Sequence, residues 1–263
     1  MENRIDRRFQ QVAKEGKSVL VPYLTVGFPE LDTSFEIAKA VLRSGADILE
    51  LGIPFSDPLA DGPTIQMTSY RALQNNVNLK TALQFVVDLR SHDNAFPLIF
   101  MGYYNSFFKY GLSEFLSDAF NAGLDGLIIP DLPMEESEEV SKQCSENGIY
   151  LIPLLAPTST DDRIELACRH AGGFIYCVSV TGVTGARKSL SGKVENLVER
   201  IKRFTNLPVL VGFGVSTRSD VDAIGEFADG AVVGSAFLNR ISEADAGEEM
   251  NEAAKFLEEL TRH

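Results

Sequence analysis

The residues best placed to do chemistry lie in Asp47-Ile-Leu-Glu50-Leu-Gly-Ile-Pro-Phe-Ser-Asp57-Pro-Leu-Ala-Asp61-Gly-Pro-Thr-Ile-Gln66. An apolar strand runs straight into a carboxylate there, and two more acids follow in a Pro/Gly-rich loop. A charge carried into a low-dielectric site must be paired, hydrogen-bonded, shifted in pKa or put to use. Glu50 at a strand end, facing Asp61 across that loop, therefore reads as acid/base chemistry. On spacing alone Asp61 is equally a turn former or the cap of a helix beginning near Pro63. Asp57, in Ser-Asp-Pro, reads first as a turn former.

Such acids need a rigid frame, and the chain supplies a repeating one. Continuous apolar runs recur at Val19–Thr25, Asp47–Leu51, Pro97–Met101, Gly126–Ile129, Tyr150–Pro153, Phe174–Val178, Val209–Gly212 and Gly230–Val233. They suit parallel strands buried on both faces. Helical segments lie between them, several stopping near a glycine such as Gly45, Gly123 or Gly148. Eight β/α units with no linker-like change in composition predict an α/β fold, a single (β/α)8 TIM barrel over residues 1–263. An extra helix at Glu2–Glu15 precedes it. The alternative, an open doubly wound sheet, usually has fewer strands.

In such a barrel chemistry belongs at the C-terminal strand ends. Three features there suggest a phosphate site: Thr184-Gly185 in the sixth loop, Gly212-Phe213-Gly214 after the seventh strand, and Gly234-Ser235 opening a helix after the eighth. Glycines let backbone N–H groups approach phosphate oxygens, and a helix N-terminus adds a positive dipole. Each alone would serve equally as a turn. The sixth loop, Ser179 to Lys193, is long and glycine-containing, so it reads as a lid or a surface loop, with Arg187 and Lys188 either drawing an anion or simply solvated. Tyr23, Met101, Ile128, Tyr176 and Phe213 would form an aromatic-apolar pocket between acids and phosphate, although each singly is more often core.

Composition and absences narrow the chemistry. Of 263 residues, 37 are acidic and 24 basic, and the net charge of −13 disfavours nucleic acid and anionic membrane. No apolar run is long enough to span a membrane, and the N-terminus lacks a signal core, so a cytoplasmic enzyme is expected. Cys144, Cys168 and Cys177 fit no zinc or disulfide spacing. None of the eight strands carries Lys or His, which disfavours an imine and a histidine-held metal, and no nucleophile elbow, P-loop or dinucleotide fingerprint is present. Carboxylates remain.

The run Glu50-Leu-Gly-Ile-Pro-Phe-Ser-Asp-Pro-Leu-Ala-Asp61-Gly-Pro-Thr-Ile-Gln66 resembles the signature of the tryptophan synthase alpha subunit family. Tyr23-Leu-Thr-Val-Gly-Phe-Pro29, Met101-Gly-Tyr-Tyr-Asn105, Asp131-Leu-Pro133, Tyr176 through Gly185, Gly212-Phe-Gly214 and Gly234-Ser-Ala236 extend the resemblance over nearly the whole chain. It implies retro-aldol cleavage of indole-3-glycerol phosphate to indole and glyceraldehyde 3-phosphate, with no metal or organic cofactor in this subunit. By that resemblance Glu50 and Asp61 carry the proton transfers, with Tyr176 beside them. Thr184 holds Asp61, Gly185, Gly214, Gly234 and Ser235 cradle the phosphate, and Tyr23, Met101, Ile128 and Phe213 surround the indole.

The resemblance also implies a pyridoxal-phosphate-dependent beta subunit as partner in an alpha2beta2 complex, receiving indole through a tunnel and facing Asp57, Pro58, Asn105, Phe108, Asp131 and Pro133. The chain departs from the family pattern at Tyr23, often Phe, and at Pro130, where a small residue is frequent. Three alternatives stay open: a free-standing indole-3-glycerol phosphate lyase, another phosphate-binding barrel such as an isomerase, and a catalytically silent partner.

Overall fold

A computed structural model describes residues 2–178, 187–212 and 214–261. Its strands are β1 Val19–Thr25, β2 Leu49–Gly52, β3 Leu98–Met101, β4 Gly126–Ile128, β5 Tyr150–Leu151, β6 Leu154–Leu155, β7 Ile175–Val178, β8 Val209–Gly212 and β9 Gly230–Val233. All pair in parallel in one sheet of order β5-β4-β3-β2-β1-β9-β8-β7-β6. Its two ends, β5 and β6, are successive pieces of one extended run. The Ile152 N–H donates to the Leu127 carbonyl and the Tyr176 N–H to the Pro153 carbonyl, which carries the ladder across the gap and closes a TIM barrel. The single fifth strand expected at Tyr150–Pro153 is thus split, because Pro153 has no N–H to give to the ladder.

The helices are α1 Arg4–Glu15, α2 Leu31–Val41, α3 Pro63–Gln74, α4 Leu79–His92, α5 Tyr104–Tyr110, α6 Leu112–Ala122, α7 Glu138–Glu146, α8 Asp161–His170, α9 Arg187–Ile201, α10 Arg218–Gly225, α11 Ser235–Ser242 and α12 Glu249–Thr261. The extra N-terminal helix is α1, capped by the Asn3 side chain on the Ile5 N–H and stopped by Gly16 in the left-handed conformation. The sixth loop is shorter than its sequence suggests, since α9 begins at Arg187 and Gly192 lies inside it. A glycine there weakens a helix by about 1 kcal/mol relative to alanine without breaking it.

Strand side chains divide by parity into two layers. Val19, Val21, Ile48, Ile99, Ile128, Ile152, Phe174, Leu210 and Val232 fill the barrel with Ile5 and Val12 of α1, which plugs the N-terminal end. The intervening residues, such as Leu49, Leu51, Phe100, Leu127 and Cys177, pack outward against the helices. Glu50 has the parity of Ile48, so it belongs to the interior.

At that N-terminal end one device recurs. Asp47 accepts the Leu20 N–H at 2.8 Å, Asp125 the Leu98 N–H at 2.9 Å and Asp229 the Val209 N–H at 2.8 Å. Each aspartate precedes its own strand and pins the neighbouring one. Asp125, 2% exposed, also pairs with Arg90 at 2.7 Å and with Arg4 of α1 at 2.9 Å.

Candidate active site

Glu50 ends up fully buried at the C-terminal half of the barrel, and among the described residues neither of its carboxylate oxygens has a hydrogen-bond partner. Register sets it beside Tyr23 on β1 and Ile99 on β3. Burial, reinforced by the nearby Asp61 charge, pushes its pKa from the ordinary 4.5 up to about 8. The group is therefore a protonated acid at neutral pH, able to donate and then take back a proton.

Asp61 sits in the loop between β2 and α3, partly buried. Burial raises its pKa to about 6, against the opposing pull of a hydrogen bond from Tyr103. The Tyr103 hydroxyl donates to Asp61 Oδ2 at 3.0 Å and accepts the Ala60 N–H at 2.9 Å. Its ring stacks on Phe55 with centroids 5.0 Å apart and planes 16° from parallel. Asp61 does not cap α3, which starts with Pro63 after Gly62 and has no side-chain cap, but its N–H closes a turn on the Pro58 carbonyl at 3.0 Å. Two acids with pKa values pushed to either side of neutrality are a ready donor and acceptor.

Tyr23 and Tyr176 flank the pair. Burial and the two acids hold both phenols well above their ordinary pKa, so they remain neutral. Their rings need two glycines. A Cβ at Gly52 would lie 2.0 Å from the Tyr23 hydroxyl, and one at Gly212 would lie 2.4 Å from the Tyr176 hydroxyl. Gly212, expected in the phosphate loop, thus serves the Tyr176 ring. Gly212→Ala should force that ring aside and destabilise the fold by about 1–3 kcal/mol, as overpacking does, which a urea titration reads directly.

A cavity of about 380 Å³ opens beside Tyr176, walled by Ala60, Met101, Pro130, Leu154 and Val178 among others. Pro130, one of the departures from the family pattern, thus shapes the wall. Ile128 is wholly buried in the inner layer. Larger hollows of about 720 and 750 Å³ lie at the plugged end of the barrel and on its flank. None of these three is lined by Glu50 or Asp61 themselves, and only the cavity beside Tyr176 adjoins them, through Ala60 and Tyr176.

After β9, α11 starts at Ser235 with Gly234 as N-cap, no side-chain cap and no acid in its first turn. Its own first turn therefore offers free N–H groups and a positive dipole end. Gly214 has a φ of +53°, which favours glycine. Thr184, Gly185 and Phe213 lie outside the described residues. Among the described residues no group of three His, Cys, Asp or Glu could hold a metal ion, and no helix is long and apolar enough to cross a membrane.

Around the mouth, Asp57, Asn105, Asp131 and Pro133 are exposed, Pro58 is partly so, and Phe108 is 67% exposed. Leu59, 91% exposed, and Tyr70, 65% exposed, add apolar surface on the β2–α3 loop and α3 that the sequence did not single out. Tyr103 was also missed. Its only sequence signal is an aromatic hydroxyl directly after a strand end.

The family model described as tryptophan synthase alpha chain matches residues 9–262. The tryptophan synthase alpha chain of Thermoanaerobacter pseudethanolicus is 45% identical over 253 residues, 96% of each chain. That of Caldanaerobacter subterraneus subsp. tengcongensis is 48% identical over 240 residues, 91% of each. A crystal structure of the Legionella pneumophila alpha chain superposes with a TM-score of 0.90 at 35% identity, covering 99% of this chain and 96% of that one. A chain of Mycobacterium tuberculosis tryptophan synthase does so at 0.89 and 30% identity, covering 98% of each.

Proposed function

The chain belongs to the tryptophan synthase alpha chain family, and from that premise we propose that it cleaves indole-3-glycerol phosphate to indole and glyceraldehyde 3-phosphate, as a carbon–carbon lyase in tryptophan biosynthesis. The observation that carries the reading is Glu50: fully buried, with both carboxylate oxygens unpartnered among the described residues, and shifted to about 8 beside a second acid at about 6.

Protonated Glu50 donates to the indole C3, and the ionised Asp61 balances the positive charge that this places on the ring nitrogen. The Glu50 carboxylate then takes the proton of the glycerol hydroxyl on the carbon joined to C3. The carbon–carbon bond breaks, its electron pair returns to the ring, and indole leaves as the aldehyde forms. Glu50 ends protonated, so the cycle consumes no external acid or base. Asp61 stabilises the charged ring as a fixed counter-ion in a dry site. Tyr23, Met101, Ile128, Tyr176 and Phe213 surround the indole, Thr184 steadies Asp61, and Gly185, Gly214, Gly234 and Ser235 hold the phosphate.

The partner we propose is a pyridoxal-phosphate-dependent beta subunit, docked on Asp57, Pro58, Asn105, Phe108, Asp131 and Pro133. The relatives described above are alpha chains, and none of them favours a free-standing lyase. The test is indole release from indole-3-glycerol phosphate by the purified chain, with and without a beta subunit. Turnover strongly raised by the beta subunit is the expected result; no indole even with it overturns the reading.

The pH dependence has a defined shape. Asp61 must be ionised and Glu50 protonated, so kcat/KM should rise through about 6 and fall through about 8. A profile flat from pH 5 to pH 9 would rule out the pair as donor and acceptor.

A further inference from the structure

The acid pair is held from one side by a chain of contacts that begins at the protein surface. Asp131, exposed on the turn after β4, accepts the Tyr104 N–H at 2.8 Å. Tyr104 is the first residue of α5, and Tyr103, the N-cap before it, has no side-chain cap of its own. Tyr103 in turn gives its one hydroxyl proton to Asp61, because the Ala60 N–H occupies its acceptor side. Asp131 thereby fixes the backbone from which the phenol projects, although it touches neither acid.

We propose that Asp131 is a positioning residue for Asp61, acting through the first turn of α5 and the Tyr103 hydroxyl. The proposal rests on the lyase reading for its consequence in turnover, but not for its consequence in structure. A phenol donating to a carboxylate stabilises the charged form, so loosening it must raise the Asp61 pKa. Among the described residues the ionisable groups facing Asp61 are Glu50 from β2, Tyr23 from β1, Tyr103 before α5 and Tyr176 from β7. The three phenols are held neutral and Glu50 is protonated through most of the Asp61 titration. The hydrogen bond from Tyr103 is therefore the one contact in that set that favours the carboxylate.

The experiment follows the Asp61 carboxyl by 13C NMR in the intact chain, alongside the pH profile of indole release. Tyr103→Phe should move the Asp61 midpoint upward by roughly one pH unit. Asp131→Ala should move it in the same direction, by less, with a matching upward move of the acidic limb of kcat/KM. Asp131→Asn keeps an oxygen for the Tyr104 N–H and should restore the wild-type midpoint. In a Tyr103→Phe background, Asp131→Ala should add nothing, because the contact it serves is already gone. An unmoved midpoint in Asp131→Ala, an equal displacement in Asp131→Asn, or a full additional displacement in the double variant overturns the proposal. The NMR titration needs no substrate. Failure of the lyase reading would appear separately, as absent turnover in the wild-type chain.

Discussion

Glu50→Gln is expected to reduce indole release by about 10²–10⁴-fold, the range associated with losing a positioned general acid and base. The amide has nearly the same shape and can neither donate a proton to the indole C3 nor take one from the glycerol hydroxyl. KM should change much less than kcat, because the interaction removed operates in the transition state rather than in binding. Full activity would remove Glu50 from the mechanism.

The same substitution should make the protein more stable at alkaline pH. In the unfolded chain Glu50 ionises near its ordinary 4.5, whereas in the fold it does so near 8. Between those values the folded state keeps a proton that the unfolded state has released. The stability associated with Glu50 is therefore complete below about pH 4.5 and lost as pH rises to about 8. At about 1.4 kcal/mol per pH unit, this amounts to a few kcal/mol. Urea titrations of wild type and Glu50→Gln should diverge progressively across that window, with the variant gaining. Parallel curves would show that Glu50 ionises normally.

The second large effect is structural. Asp125→Ala should lower stability by about 3–5 kcal/mol, the usual consequence of removing one partner from a buried ion pair. Arg90 would keep its bonds to the Gly123 and Phe96 carbonyls while losing the carboxylate that neutralises it. Its guanidinium side chain is 9% exposed, so water cannot substitute freely. The Leu98 N–H and the Arg4 contact from α1 would be lost as well. Replacing Arg90 and Asp125 together by apolar residues should recover part of the loss, since the stranded charge goes too. Denaturation midpoints of the single and double variants decide this.

Both predictions start from acids whose legibility in the sequence differed. Glu50 stood out because it follows Ile48 and Leu49 within an apolar run, where a charge is costly. Asp125 did not, because an aspartate after Gly-Leu resembles any turn residue, and Arg4 and Arg90 are 121 and 35 residues distant from it. Most of the barrel was readable, since strands covered on both faces leave continuous apolar runs. The fifth strand broke where Pro153 could not donate, a local rule that the apolar run concealed.

Helix α5 leaves no sequence signal of its own, because Tyr104–Tyr110 follows a strand end too closely for a loop to show, and Tyr103 is hidden with it. An aromatic residue there is usually core, and nothing in its neighbourhood points to Asp61, 42 residues earlier. The α9 start was misplaced because glycine at 192 reads as loop. Family resemblance supplied what spacing could not: a catalytic role for Asp61 in place of an even choice with a turn former, and the expectation of a partner on an exposed rim.

The aspartate that pins β1 to β2 ties this chemistry to the far end of the barrel. Asp47 on the Leu20 N–H sets the alignment that places Tyr23 beside Glu50. Side chains alternate along a strand, so a slip of β2 by one residue would turn Glu50 into the helix layer and bring Leu49 or Leu51 inside. A lesion at Asp47 would then present itself as a catalytic defect, with an intact reactive group facing the wrong compartment.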